Sequence, residues 1–286
     1  MQIKKLSWAG ILVQSGDTAV MIDPLGKVPP NQDRPLAARL GKAHESFVPI
    51  ESPPIPAAVA ITHVHPDHFD PESIQGAFGR DIPVLVPDES TTIVNNSGLT
   101  NLIGASPGDS WEFGELKITA VYSADGYGTP QVAWMIEGDG QKIIHCGDTL
   151  WHGEWWKIAG KYGPFNLACL PINGAVLNVL GLLEQSTLPA CMTPEEAVEA
   201  AKILGATLLP IHYGMFHNPP YYSEADNALK RVEERANLRG VELYALKPGE
   251  WLDLSSKTKN TRGIREEVGN ANPTSAMGRG PDRVEQ

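Results

Sequence analysis

Apolar and polar positions alternate with period two at the start of the chain. Residues 2–6, 10–14 and 18–23 each read as a strand, separated by Gly- or Asp-containing turns, and together they predict an antiparallel meander. Residues 24–56 then hold eight prolines, a density that excludes long helices and strands and predicts an irregular surface excursion. A short apolar run, 57–62, predicts a buried strand, because it lacks the polar alternation of a half-exposed one. Strand patterns follow at 83–86, 116–121, 132–136 and 142–146, with a helical stretch at 88–95.

Clearer signals mark the second half. Residues 167–171 and 207–211 are apolar, strand-length runs. Between them Thr193 precedes Pro194, and Glu196 stands three positions after the Thr, the pattern of a capping box opening a helix through Ala-rich 197–204. Ser223 is expected to cap a second helix, 224–238, with strands at 241–246 and 251–254 closing the fold. Strands that alternate with helices after an antiparallel opening predict an α/β fold of mixed sheets flanked by helices. Residues 255–286 are rich in Ser, Thr, Asn, Gly, Pro and charge, so we expect one domain over 1–254 and a disordered or loosely docked tail.

Composition narrows the partners. With 286 residues and 42% hydrophobic content the chain can bury a large core, yet no run approaches the ~20 apolar residues of a membrane span. Met1 leads straight into a strand pattern without the apolar core of a signal peptide, so a cytoplasmic location is expected. Net charge is −11, and the tail carries six basic against four acidic residues, leaving +2 there and −13 on the body. A surface that acidic disfavours nucleic acid and leaves a small molecule as the expected substrate. Cys146, Cys169 and Cys191 have neither disulfide-framework nor CxxC spacing, and read as reduced thiols in apolar strands.

Chemistry concentrates where the 57–62 run ends. His63, His65, Asp67 and His68 put three imidazoles and a carboxylate within six positions. In extended backbone His63 and His65 point to one side, and the turn at Pro66 lets Asp67 and His68 face a second point. Zinc and similar ions take about four to five ligands, so partners must come from elsewhere. Asp148, after the 142–146 strand, and His212, after the 207–211 strand, each stand at a strand end beside a glycine.

These motifs resemble the metallo-β-lactamase superfamily, especially its branch similar to ascorbate-phosphate lactonase and to many uncharacterised metal hydrolases. The resemblance rests on Met21-Ile22-Asp23, on residues 62–68, on His145-Cys146-Gly147-Asp148-Thr149 and on Pro210-Ile211-His212-Tyr213-Gly214, and covers residues 2 to about 254. It implies an αββα sandwich of two mixed β-sheets flanked by helices. It also implies two divalent ions, zinc first with manganese or iron as alternatives: one on His63 and His65, the other on Asp67, His68 and His212, with Asp148 bridging both. Asp23 would orient a ligand imidazole by hydrogen bond.

One ligand of the family pattern is missing. The superfamily usually places a further histidine on the first ion, at the end of a strand corresponding to 116–121, but no His occurs between His68 and His145. Asp125 falls nearest that position and is expected to replace it, against the reading of a plain turn aspartate; His145 and His152 are fallbacks. A carboxylate there lowers the net charge of the site by one, weakens its Lewis acidity and favours harder ions such as Mn or Fe relative to zinc.

The resemblance implies hydrolysis: a hydroxide held between the two ions attacks a small ester, lactone or related carbonyl, while Asp67 orients the nucleophile and passes its proton toward the leaving group. A phosphodiesterase with the same site is the alternative, disfavoured by the absence of Arg and Lys from the motifs; a degenerate metal-binding protein without turnover is another. A redox di-iron protein would be expected to carry a carboxylate at position 65. Around the site, Trp151, His152, Trp155 and Trp156 read either as an aromatic wall or as helix packing. His217 reads as a rim or surface residue, and His44 has no supporting neighbours. Residues 173–192, with several Val and Leu, read as a lid, a contact for a homo-oligomer, or a segment buried on the body. Substrate specificity is expected to lie in 24–56 and 173–192.

Overall fold

The computed structural model describes residues 1–26, 40–51, 54–178 and 185–255. Three strands open the fold, β1 (Gln2–Lys5), β2 (Ile11–Ser15) and β3 (Thr18–Ile22), and each pairs antiparallel with the next, Ile3 opposite Val13 and Val13 opposite Val20. The chain then turns parallel through β4 (Ala58–Ala60), β5 (Val84–Pro87) and β6 (Leu102–Ala105). The first sheet reads β15-β1-β2-β3-β4-β5-β6, where β15 is Trp251–Asp253.

A second, six-stranded sheet reads β13-β11-β10-β9-β8-β7. Its antiparallel part is β7 (Ser110–Phe113), β8 (Leu116–Tyr122), β9 (Val132–Gly138) and β10 (Gln141–His145); its parallel part adds β11 (Leu167–Pro171) and β13 (Thr207–Ile211). Asp139-Gly140, both at positive φ, close the β9–β10 hairpin, as a two-residue turn between right-twisted strands requires.

The layers follow from where each face is buried. Ile3, Ile11, Val20 and Ala60 of the first sheet pack against Ile118, Trp134, Ile143 and Leu209 of the second, a core between two apolar faces. The outer face of the second sheet is covered by α3 (Trp155–Tyr162), α4 (Pro194–Leu204) and α5 (Ala228–Arg239), and that of the first by α1 (Pro71–Phe78). This is the αββα sandwich of two mixed sheets. Met1–Leu254 form one compact unit. No helix of the described residues is long and apolar enough to cross a membrane.

Local expectations fare unevenly. The capping box stands as read: Thr193 Oγ1 accepts from Glu196 N, and Glu196 Oε2 accepts from Thr193 N at 2.9 Å. Ser223 caps no helix. It lies in the short strand β14 (Tyr222–Ser223), which pairs with β12 (Val176–Leu177), and α5 starts only after Asn227. Residues 241–246 make no strand, although Leu208 N donates to Glu242 O and Tyr244 N to Leu208 O. The 88–95 stretch is a 3-10 turn, Asp88–Ser90, followed by the one-turn helix α2 (Thr91–Val94). The tail expected to be disordered and parts of the 24–56 and 173–192 segments lie outside the described residues.

Candidate metal centre

Carboxyl ends of parallel strands meet at one edge of the sandwich, and the polar residues there follow directly from the strands. Asp23 follows β3, Thr62 and His63 follow β4, Asp148 follows β10 and His212 follows β13. Open α/β sheets place ligands at this edge because the loops there are free of sheet hydrogen bonding. Trp8, Asp23 and His212 all adopt positive φ (56°, 45° and 56°), a region costly for residues with a side chain and recurrent at functional sites.

The sequence-predicted ligands fall into two groups. Asp67, His68, Asp148 and His212 each offer a ligand atom within 4.8 Å of the others, and all four are buried; His63, His65 and Asp125 do the same, with only His63 buried. Asp148 faces both. Its Oδ1 lies 3.0 Å from His68 Nε2 and 2.9 Å from His212 Nε2, and its Oδ2 lies 3.9 Å from His63 Nε2. Asp67 Oδ2 is 3.7 Å from His68 Nε2 and 3.4 Å from His212 Nε2.

A hydrogen-bond chain orients one imidazole in each group. Asp23 accepts from Thr62 N at 2.7 Å and from Thr62 Oγ1 at 2.6 Å, and its Oδ2 lies 2.8 Å from His68 Nδ1. A carboxylate can only accept, so His68 carries a proton on Nδ1, which leaves Nε2, facing Asp148, as the nitrogen that an ion would bind. Thr62 spends its hydroxyl proton on Asp23, so it accepts from His63 Nδ1 at 3.0 Å and frees His63 Nε2 likewise. His65 points Nδ1 at His63 Nε2, 2.8 Å away, and shares a hydrogen bond of 2.6 Å between its Nε2 and Thr129 Oγ1.

Charges arrange themselves to match. Burial opposes charge on His68 and His212, but the carboxylates Asp148, Asp67 and Asp23 around His68, and Asp148 and Asp67 beside His212, outweigh it and raise both pKa values. Burial and the neighbouring imidazoles instead push His63 well below its usual value. For Asp148 and Asp67 burial favours the neutral form, yet His212 and His68 hold both carboxyls below the usual carboxylate range.

Asp125 is a turn aspartate whose carboxylate also lies near His63 and His65. Its Oδ2 accepts from Tyr127 N and Thr129 N, each at 2.9 Å, which is the turn aspartate, and its carboxylate also joins the His63 and His65 group. The two fallback histidines are elsewhere. His145 gives Nε2 to Ala9 O at 2.8 Å and accepts from Gly147 N through Nδ1 at 3.3 Å, so both ring nitrogens are spent on backbone. His152 stacks on Trp155 at 4.2 Å, accepts from Glu154 N, and is pushed by burial to about 4. Trp155 is a buried residue of the core under α3, so helix packing explains it; Trp151 and Trp156 are exposed and meet edge to face at 5.9 Å.

Several residues at the site carried no signal in the sequence reading. Trp8 Nε1 donates to Asp67 Oδ2 at 3.1 Å. Gln131 Oε1 accepts from Asp148 N at 3.2 Å, and Gln131 is itself held by Ser123. Cys191 is no strand thiol: it lies outside every strand just before α4, and burial, with the nearby carboxylates of Asp148, Asp125 and Asp67, pushes its thiol well above the usual range. Gly147 is obligatory twice over, with φ of 58° and a Cβ position only 2.6 Å from Thr62 Oγ1.

The donor set suits divalent ions: imidazoles that each turn one nitrogen inward and ionised carboxylates, all buried in the group of Asp67, His68, Asp148 and His212. Asp67 Oδ1, His68 Nε2 and Asp148 Oδ1 are buried without a hydrogen bond, the last two in contact but not in bonding geometry. Buried polar atoms left without a hydrogen bond are costly, and a cation shared among them relieves that cost.

Residues 18–213 match the family model of the β-lactamase superfamily domain, and the chain belongs to that family. A "UPF0173 metal-dependent hydrolase" of Thermococcus onnurineus is 32% identical over 204 residues, covering 68% of this chain and 81% of its own. In fold the chain is similar to Igni18, a metallo hydrolase from Ignicoccus hospitalis (TM-score 0.63, 22% identity, 88% of this chain and 97% of that one). It is also similar to the metallo-β-lactamase fold protein YhfI from Bacillus subtilis (TM-score 0.60, 19% identity, 88% and 99%). It is a metal-dependent hydrolase of the metallo-β-lactamase fold.

Proposed function

We propose that the two groups hold two divalent ions, His63, His65 and Asp125 on one and Asp67, His68 and His212 on the other, with Asp148 shared, and that the site hydrolyses a small ester, lactone or related carbonyl substrate. The observation that carries this reading is Asp148, with Oδ1 turned to His68 and His212 and Oδ2 to His63. Ions bound there supply Lewis acidity and acidify a water. The chain's own residues do the rest. Asp148 and Asp67 stay ionised, His63 and His68 are locked in the ligating tautomer by Thr62 and Asp23, and the Asp67 carboxylate takes the attacking water's proton and passes it to the leaving group. Asp125 makes the first group richer in carboxylate than the usual pattern, which favours Mn or Fe relative to zinc. The test is elemental analysis of protein purified without added metal, followed by kinetics on paired lactone, ester and phosphodiester panels. Two ions with carbonyl-ester turnover is the expected result; turnover confined to phosphodiesters, or none on any panel with both ions bound, rules this substrate class out.

A further inference from the structure

Trp8 stands between β1 and β2, outside every motif that marks the metal ligands, and the loop that carries it is held from all sides. Leu6 N donates to Gly10 O at 2.9 Å and Gly10 N to Ser7 O at 2.9 Å. Lys5, only 3% exposed, gives its Nζ to the carbonyl oxygens of Leu6 at 2.7 Å and Trp8 at 2.5 Å. His145 gives Nε2 to Ala9 O at 2.8 Å. Gly10 leaves no space at its back, where a Cβ would come within 3.0 Å of Asp23 O and of Leu6 Cβ.

Such anchoring is costly. An ammonium taken out of water loses its hydration, and burial pulls Lys5 down to about 7. Trp8 itself sits at φ 56°, a conformation a side chain disfavours. Two buried bases spent on three carbonyls of one strained loop, Lys5 on Leu6 and Trp8 and His145 on Ala9, point to what the loop presents. That is the indole. Nε1 donates to Asp67 Oδ2 at 3.1 Å, the ring lies 4.0 Å from the His212 ring, and Trp8 O accepts from His212 N at 3.3 Å. Phe216 braces the ring edge-on at 4.9 Å. One residue thus touches two members of the buried group, Asp67 following the first sheet and His212 the second.

We infer that Trp8 is a positioning residue for the second ion: its indole N–H fixes the Asp67 carboxylate through Oδ2, the oxygen that faces His68 and His212, its ring and carbonyl set the pose of His212, and Lys5 with His145 lock the loop that holds it. The inference rests on the two-ion reading above. Packing alone would make Trp8 replaceable by any aromatic of similar size, and the two accounts separate in Trp8→Phe, which keeps a ring against His212 and Phe216 and removes the donor.

The experiment is a chelator-competition titration of the metal-free protein with Zn(II). Wild type is expected to take two ions. Trp8→Phe is expected to take one as tightly as wild type and the other about 10–100-fold more weakly, the usual penalty for removing a hydrogen bond to a ligand. Lys5→Met, whose side chain touches no ligand, is expected to weaken the same ion. A second readout is the indole ¹⁵N resonance that disappears in Trp8→Phe, which in wild type should shift as zinc is added. Should Trp8→Phe not fold, the wild-type resonance decides: no shift overturns the proposal. Trp8→Phe binding both ions as wild type does overturns it while sparing the two-ion reading; Lys5→Met binding both ions unchanged overturns the locking role; wild type binding no zinc overturns both.

Discussion

In the group of Asp67, His68, Asp148 and His212 every residue is buried, whereas in the group of His63, His65 and Asp125 two of three are partly open to solvent. The buried group is oriented by Asp23, Trp8 and Gln131, all at most about a tenth exposed. The open group leans on Thr129 and on backbone amides of a loop, through His65 and Asp125. The pKa values divide the same way: carboxylates raise those of His68 and His212 against burial, while burial lowers that of His63. The buried group is therefore the more rigidly held, and the open group the more adaptable. Residues buried on strand ends are fixed in position, while one held on a loop can change as the fold persists, and the candidate ligand that departs from the expected pattern, Asp125, is on such a loop.

The largest effect is expected at the residue both groups share. Asp148→Ala removes a carboxylate oxygen from each group, so both ions should bind poorly. Losing several kcal/mol of Lewis-acid stabilisation lowers kcat/KM by about 10³-fold or more. Metal analysis after dialysis, beside kcat/KM, checks it; a variant that keeps both ions would make the two groups independent. Asp23→Asn comes next. Asp23 holds His68 directly and His63 through Thr62, so this single change should weaken both ions, each by about 10–100-fold. Weakening of one ion alone would show that the Thr62 relay does not reach His63.

Much of this was legible in the sequence, and particular residues show why the rest was not. The 207–211 and 167–171 runs are strands with the bounds that were read, and the ligands stand where apolar runs stop, because strand ends and metal donors are both local signals. Ser223 misled because Ser before Glu is a good helix cap anywhere, while its pairing with Val176–Leu177 crosses more than forty residues. Trp8 was invisible for the same reason. Its contact with Asp67 spans 59 positions and exists only because β1 and β4 end at one edge of one sheet. Asp125 was legible as a turn and as a candidate ligand, and the two signals do not conflict, because its turn leaves the carboxylate beside His63 and His65.

Proton release should separate the groups in solution. A metal ion must displace the proton on His68 or His212, whose pKa values lie above the usual imidazole value, so loading the buried group is expected to release one to two protons near neutral pH. Its affinity then rises with pH, about tenfold per unit for each proton displaced. His63 holds no proton to displace, so the other ion should respond to pH less steeply. Calorimetry in two buffers of different ionisation heat counts the protons; equal release by both ions would remove the distinction drawn here.

The smallest expected effect bears on why the open group holds an aspartate. Asp125→His restores the family's usual ligand type and raises the net charge of the site by one, which should move the preference toward zinc over manganese by about tenfold. That variant also deprives Tyr127 N and Thr129 N of their shared acceptor, and Thr129 is the partner of His65 Nε2. A loss of affinity could then reflect the loop and not the ligand. Asp125→Asn resolves this, since its side-chain oxygen still accepts from both amides while the charge is gone. If Asp125 ligates an ion, Asn should weaken manganese more than zinc and leave Tm within about 2 °C of wild type, as expected for a substitution that keeps its hydrogen bonds. Equal weakening of both metals, or none, would reduce Asp125 to the turn it also makes, and the open group to two histidines and its share of Asp148.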